Sequence, residues 1–166
     1  DEQLANWLEA PGDMSPGEFS QRVRLAVERD GARVSLIDGL NGYLNAIPQV
    51  EAPLVRMHEL LSYLNERGVV TMMVVAQHGI VGAHMTTPID VSYLADTVIL
   101  LRFFESAGVV RRAVSVMKKR SGPHESTIRE FQIGPERLRV GAALSEFQGV
   151  LTGVPQYIGA STPLFK

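Results

Sequence analysis

Val69-Val70-Thr71-Met72-Met73-Val74-Val75-Ala76 is a run of apolar and β-branched residues without polar alternation. A strand wetted on one face alternates, whereas a strand covered on both faces, as in parallel sheets, reads as a continuous apolar run. The run therefore predicts a buried strand of a parallel sheet. Just upstream, Leu54, Met57, Leu60, Leu61 and Leu64 form a helical stripe, with Pro53 suited to the first turn and Gly68 to the stop. Further upstream, Arg33-Val34-Ser35-Leu36-Ile37-Asp38 is a second strand-length run that ends on a carboxylate, followed at once by Gly39, Asn41 and Gly42. Ser15-Pro16-Gly17-Glu18 has the S-x-x-E form of a capping box, in which the Ser oxygen and the Glu carboxylate satisfy free amides of a helix start. Phe19, Val23, Ala26 and Val27 then share one helical face, and Gly31 sits where a left-handed stop is cheap. Helix, strand, helix, strand implies right-handed crossovers in an α/β layer fold. Ligands of such sheets bind outside the carboxyl ends of the strands, so Asp38 and Gln77 are expected to face one crevice.

Downstream the pattern changes. Residues 79–96 are rich in Gly, Pro, Thr and Ser, which is loop chemistry. Thr97 to Phe104 and Val109 to Lys118 read as a hairpin joined by Glu105-Ser106-Ala107-Gly108, Ile128 to Ile133 as a third strand and Leu138 to Val140 as a short fourth. The expected sheet is thus a parallel core with antiparallel strands toward its C-terminal edge and helices on its faces. The chain has 166 residues, which suits one domain, and its 16 basic and 18 acidic side chains leave a net charge of −2. That near-neutral balance argues against a strong uniform field for nucleic acid. The absence of cysteine excludes a disulfide scaffold, a Cys zinc site and a Cys nucleophile, and fits a reducing, cytoplasmic compartment. The longest apolar run falls short of the roughly 20 residues of a membrane helix. The chain starts Asp1-Glu2-Gln3, with neither Met nor a signal segment, and is expected to be a piece of something longer.

Asp38 is the sharpest single residue. A carboxylate at a strand tip is how nucleotide-binding folds hold Mg²⁺ beside a phosphate, although Asp before Gly is also an ordinary strand-end turn. The partner motif G-x-x-x-x-G-K-[ST], whose amides cradle phosphates, is absent, since no glycine is followed by Lys. Gln77 could orient a water or sense a γ-phosphate, or be a solvated amide. His58, His78, His84 and His124 lack the close spacing of a metal site, and there is no G-x-S-x-G elbow. Arg111, Arg112, Lys118, Lys119 and Arg120 concentrate charge on one hairpin arm. That arm could bind nucleic acid, reach phosphates on a neighbouring subunit, or protect an edge strand from mispairing.

Five ordered blocks, Arg33 to Leu40, Val81-Gly82-Ala83-His84, Tyr93 to Leu101, Arg112 to Arg120, and His124 with Ile128-Arg129-Glu130-Phe131, together resemble the distal half of a KaiC-type ATPase domain, of the RecA-like P-loop class. The resemblance runs from about Ser15 to Pro155 and implies a RecA-like sheet, ATP with Mg²⁺, and a hexameric ring of like subunits with nucleotide between them. By it, Asp38 matches the Walker B carboxylate, Lys118 and Arg120 the pair that reaches the neighbour's nucleotide, and Gln77 lies near the sensor strand tip. The family's phosphorylatable positions fall on Ser92, Tyr93 and Thr87. Tyr93 stands where the family has Thr, and Pro88 and Asp90 replace neighbours, so clock-like autophosphorylation does not follow. Gly39 replaces the Ser usual after the Walker B Asp. The P-loop and the carboxylates that activate water lie upstream of this stretch in the family. The expectation is therefore that 1–166 is the distal part of one domain, truncated at its N-terminal end and inactive alone. The rival readings are a non-enzymatic oligomerisation module that meets itself or signalling proteins, and, more weakly, a nucleic-acid-binding RecA relative.

Overall fold

The computed structural model describes residues 14–46, 52–76, 92–152 and 154–159. They fall into two units, divided between Ala76 and Gln77.

The first unit runs α1 (Pro16–Glu28), β1 (Val34–Asp38), α2 (Leu40–Ala46), α3 (Pro53–Glu66) and β2 (Val70–Val74). Ser15 Oγ accepts from the Glu18 amide at 3.2 Å, while the Glu18 carboxylate pairs with Arg22 one turn on, so the serine half of the capping box is the half that forms. The end of α3 follows the glycine signal closely. Gly68 takes φ +69°, its N–H returns to the Asn65 carbonyl at 3.0 Å, and the Val69 N–H returns to that of Leu64 at 2.9 Å. This is a Schellman stop, and its usual apolar contact is present, because Leu64 and Val69 share a buried cluster with Val23 and Leu60. Phe19, Val27 and Tyr63 pack against the same cluster, which joins α1 to α3.

Strands β1 and β2 pair in parallel, with Val34 opposite Val70, Leu36 opposite Met72 and Asp38 opposite Val74. The expectation that this sheet is covered on both faces is corrected. Ile37 is buried, and Ser35, Thr71 and Met73 are half-buried on one side. On the other side Leu36 is 64% and Met72 54% exposed, with Val34, Val70 and Val74 exposed beside them. An unalternating apolar run states that both faces favour burial; the helices among the described residues supply cover for one.

In the second unit a 3₁₀ turn (Ser92–Leu94) precedes β3 (Thr97–Ser106) and β4 (Val109–Lys119), joined as expected in a hairpin. Its two linking residues, Ala107 and Gly108, have φ of +52° and +72°, the left-handed pair that a tight hairpin requires. Strands β5 (Arg129–Ile133) and β6 (Leu138–Ala143) complete an antiparallel meander in the order β3-β4-β5-β6. Strand β6 is longer than its sequence suggested. Two short strands, β7 (Phe147–Gln148) and β8 (Gln156–Tyr157), form a separate pair. One face of the meander is closed by Phe104, Ala113 and Val150, packed with Ile128, Leu144 and Phe147. Phe104 and Tyr157 each meet the Phe147 ring edge-on, at 5.8 and 5.4 Å between centroids. Ile99, Leu101, Ile133, Leu138 and Val140 are exposed. No described helix is long and apolar enough to cross a membrane.

Candidate functional site

Asp38 is the last residue of β1, in register with Val74 and, by the two-residue period of a strand, on the same open face as Leu36. It is exposed, so its charge costs no burial. The chain turns at Gly39, where the Gly42 N–H bonds the Gly39 carbonyl at 3.0 Å, and α2 is anchored by the fully buried Leu40 and Leu44. Asn41 ties the two strand ends together, its Nδ2 donating to the Ala76 carbonyl at 2.9 Å just past β2. Its Oδ1 is buried and finds no hydrogen-bond partner among the described residues. The carboxyl ends of both strands thus lie at one edge, with the exposed Asp38 carboxylate and, among the described residues, an unused amide acceptor. Helix α2 escapes the sequence reading because Gly39, Asn41 and Gly42 look like a turn; the Leu40 and Leu44 spacing was the signal that could have found it. Gln77 and Thr87 lie outside the described residues.

No group of three acidic, His or Cys residues that could cage a metal occurs among the described residues. A single exposed carboxylate nevertheless fits Mg²⁺, which keeps most of its waters and takes one or two carboxylates together with substrate phosphates. His58 and His124 are exposed. A cleft of about 250 Å³ in the first unit is lined from α1 and α3 by Gly17, Ser20, Gln21, Arg24, Arg56, Glu59 and Leu60, and not by the strand tips.

The basic arm on β4 is not a free patch. Arg111 pairs with Glu130 on β5 at 3.3 Å, and Arg112 lies over the Phe103 ring at 5.6 Å. Lys119 donates to the Pro123 carbonyl at 3.2 Å. Lys118 and Arg120, two residues apart, both turn to the segment before β3. Lys118 Nζ donates to the carbonyls of Ser92 and Ala95, each at 2.9 Å. Arg120 donates to the Tyr93 carbonyl at 3.2 Å and pairs with Asp96 at 3.0 Å, while its backbone N–H bonds the Asp96 carbonyl at 2.7 Å. Ser92, Lys118 and Arg120 are therefore brought together, a proximity that sequence spacing of 26 residues between Ser92 and Lys118 does not reveal. Asp96 was not singled out in the sequence. Farther along, the Thr127 hydroxyl and then Arg129 hold the Glu125 carboxyl below the usual carboxylate range.

Comparison with known proteins gives this arrangement a family. The chain is 29% identical over 102 residues to the circadian clock protein KaiC3 of Synechocystis sp., covering 61% of this chain and 20% of that one. It is 35% identical over 77 residues to the circadian clock oscillator protein KaiC of Synechococcus elongatus, covering 46% of this chain and 15% of the relative. The chain therefore matches only about a fifth or less of the length of these relatives. Among solved structures, a KaiC-like protein from Pyrococcus horikoshii superposes with a TM-score of 0.63 at 22% identity, over 77% of this chain and 55% of the other, and shows the same RecA-like α/β fold. The sequence profile of the family described as "ATPase: KaiC" matches residues 3–145, and with that match the chain belongs to the KaiC ATPase family.

Proposed function

We propose that this chain is the distal part of a KaiC-type ATP-binding and ATP-hydrolysing domain, carrying the Walker B carboxylate and the elements that meet a neighbouring subunit. The observation that supports this best is Asp38 at the carboxyl end of a parallel strand, exposed, with the end of the adjacent strand tied beside it by Asn41. In this reading Asp38 holds the water shell of Mg²⁺, and Gln77 orients the attacking water. Lys118 and Arg120 supply positive charge to phosphates bound on the next copy of a hexameric ring. Mg²⁺, when bound with ATP, would neutralise charge on the phosphate oxygens. What these residues do themselves is hold, orient and neutralise; none grips the triphosphate in place of a Walker A loop, which the sequence lacks. The uncovered apolar face of β1 and β2 supports the same reading, because a complete doubly covered sheet would bury Leu36 and Met72.

A titration of the chain with Mg²⁺ and a fluorescent ATP analogue tests the proposal. No saturable micromolar binding and no turnover are expected, and micromolar binding with turnover would overturn the assignment to a distal, loop-less part. In a domain that also contains the phosphate loop, Asp38→Asn is expected to lower Mg²⁺-dependent turnover by about 100-fold or more; unchanged turnover refutes the Walker B role. The same unpaired sheet face also favours a second reading, a module that only associates with its own copies or with signalling proteins. Retained ring assembly with no Mg²⁺-dependent turnover in the loop-containing domain would select it.

A further inference from the structure

All the backbone carbonyls from Ser92 to Asp96, apart from that of Leu94, accept a hydrogen bond from Lys118 or Arg120. The Asp96 carboxylate completes the set at 3.0 Å from the Arg120 guanidinium. The cations assigned above to a neighbour's phosphates are thus already engaged inside their own chain. We propose that the Ser92–Asp96 turn is an internal competitor for these two cations, so that capture of a phosphate-class anion by Lys118 and Arg120 and release of the turn are one event. The proposal rests on the reading of Lys118 and Arg120 as phosphate ligands given above.

The chemistry sets the direction of the exchange. Lys118 bonds neutral carbonyls, whereas a phosphate oxygen is an anionic acceptor, and bonds with charge on both partners are shorter and stronger. Arg120 already holds an anion, the Asp96 carboxylate. A phosphate bound to the same guanidinium would lie against that carboxylate, and two like charges at one site repel. Both side chains of the Arg120–Asp96 pair are well exposed, at 60% and 68%, so the pair is held weakly enough to exchange. The backbone bond from Arg120 N–H to the Asp96 carbonyl does not depend on either side chain, and it keeps the turn tethered to β4 when the side chains leave. Linkage makes the effect reciprocal: whatever orders Ser92–Asp96 weakens anion capture, and whatever loosens it strengthens capture.

The test uses the full chain, inorganic tripolyphosphate as probe, calorimetric titration, and hydrogen exchange read at the Ala95 amide, which bonds the Ser92 carbonyl within the turn. Asp96→Asn is expected to tighten tripolyphosphate binding by about two- to fivefold, while Glu136→Gln, a charge control elsewhere in the unit, leaves it unchanged. Saturating tripolyphosphate is expected to speed Ala95 exchange in the unmodified chain. Lys118→Met should speed it without any anion. Binding that Arg120→Met abolishes but Asp96→Asn does not tighten overturns the competition alone. Slower Ala95 exchange on adding tripolyphosphate overturns it too. Binding that is absent, or indifferent to Arg120→Met, overturns the phosphate-ligand reading and the competition with it.

Discussion

Replacing Leu36 and Met72 together by threonine asks whether the open face of the β1–β2 pair is open in solution. The two residues are directly opposite in the parallel register, and they are 64% and 54% exposed. Full burial of a Leu or Met side chain stabilises by about 1.5–3 kcal/mol. Scaled by the part of each side chain that is buried, the pair should lose about 1–2.5 kcal/mol. Threonine is itself β-branched and favours strands, so the change does not weaken the strand through backbone preference. Leu64→Ala is the reference for a covered site: Leu64 has no exposed surface and sits in the α1–α3 cluster, where truncation costs about 2–5 kcal/mol by itself. Urea unfolding of the full chain followed by circular dichroism measures both, with the slope checked for constancy so that midpoints convert to stability. A loss above about 4 kcal/mol for the double variant would refute the reasoning, since it would mean that the face is packed. Unfolding midpoints that rise with protein concentration in the unmodified chain and not in the variant would instead show that another copy covers the face, the outcome the second reading expects.

Two further outcomes concern titrating groups. Tyr63 donates to Glu28 at 2.7 Å, and this bond, ahead of burial, raises its phenol above the usual value of 10.0. A raised phenol stabilises the fold fully below the unfolded value and loses that contribution as pH rises through the folded value, so the melting temperature of the unmodified chain should fall more steeply above about pH 10 than that of Tyr63→Phe; equal slopes would refute it. Glu125 is the opposite case, depressed first by the Thr127 hydroxyl and then by Arg129. Its contribution is present above the unfolded carboxyl value and lost as pH falls through the folded one. Thr127→Val should move the Glu125 midpoint upward in a carboxyl-carbon NMR titration, and an unmoved midpoint would assign the depression to Arg129 alone.

How much of this was legible in the sequence depends on how local the cause is. Helix α3 was legible at both ends because Pro53 and Gly68 act within one turn, and the hairpin was legible because two strand-like runs are separated only by Glu105-Ser106-Ala107-Gly108. Helix α2 was not, since two glycines within four residues outweigh a single Leu40–Leu44 pair on any local reading. The surroundings of the basic arm were beyond the sequence for a different reason. Lys118 at the end of β4 and Arg120 just past it are two residues apart, but their acceptors come from 92–96 and those of Arg111 from β5, partners that only the folded chain brings near. Cover was the least legible property. An apolar composition records that a face favours leaving water, while what lies over it depends on other elements.

That distinction bears directly on Asp38. By strand alternation it shares its face with Leu36, and the parallel register sets it beside Val74 on the same open surface. A carboxylate meant only to end a strand in a solvated turn gains nothing from standing at the margin of an apolar face. In the proposed function a carboxylate there meets hydrated Mg²⁺, and an element packed over the apolar residues would set a low-dielectric wall beside the strand tips, where a charge attracts a cation more strongly than it does in water. The uncovered face and the exposed Asp38 are in this way two sides of one arrangement, and both supports of the proposed function fall together if Leu36 and Met72 prove to be packed within this chain.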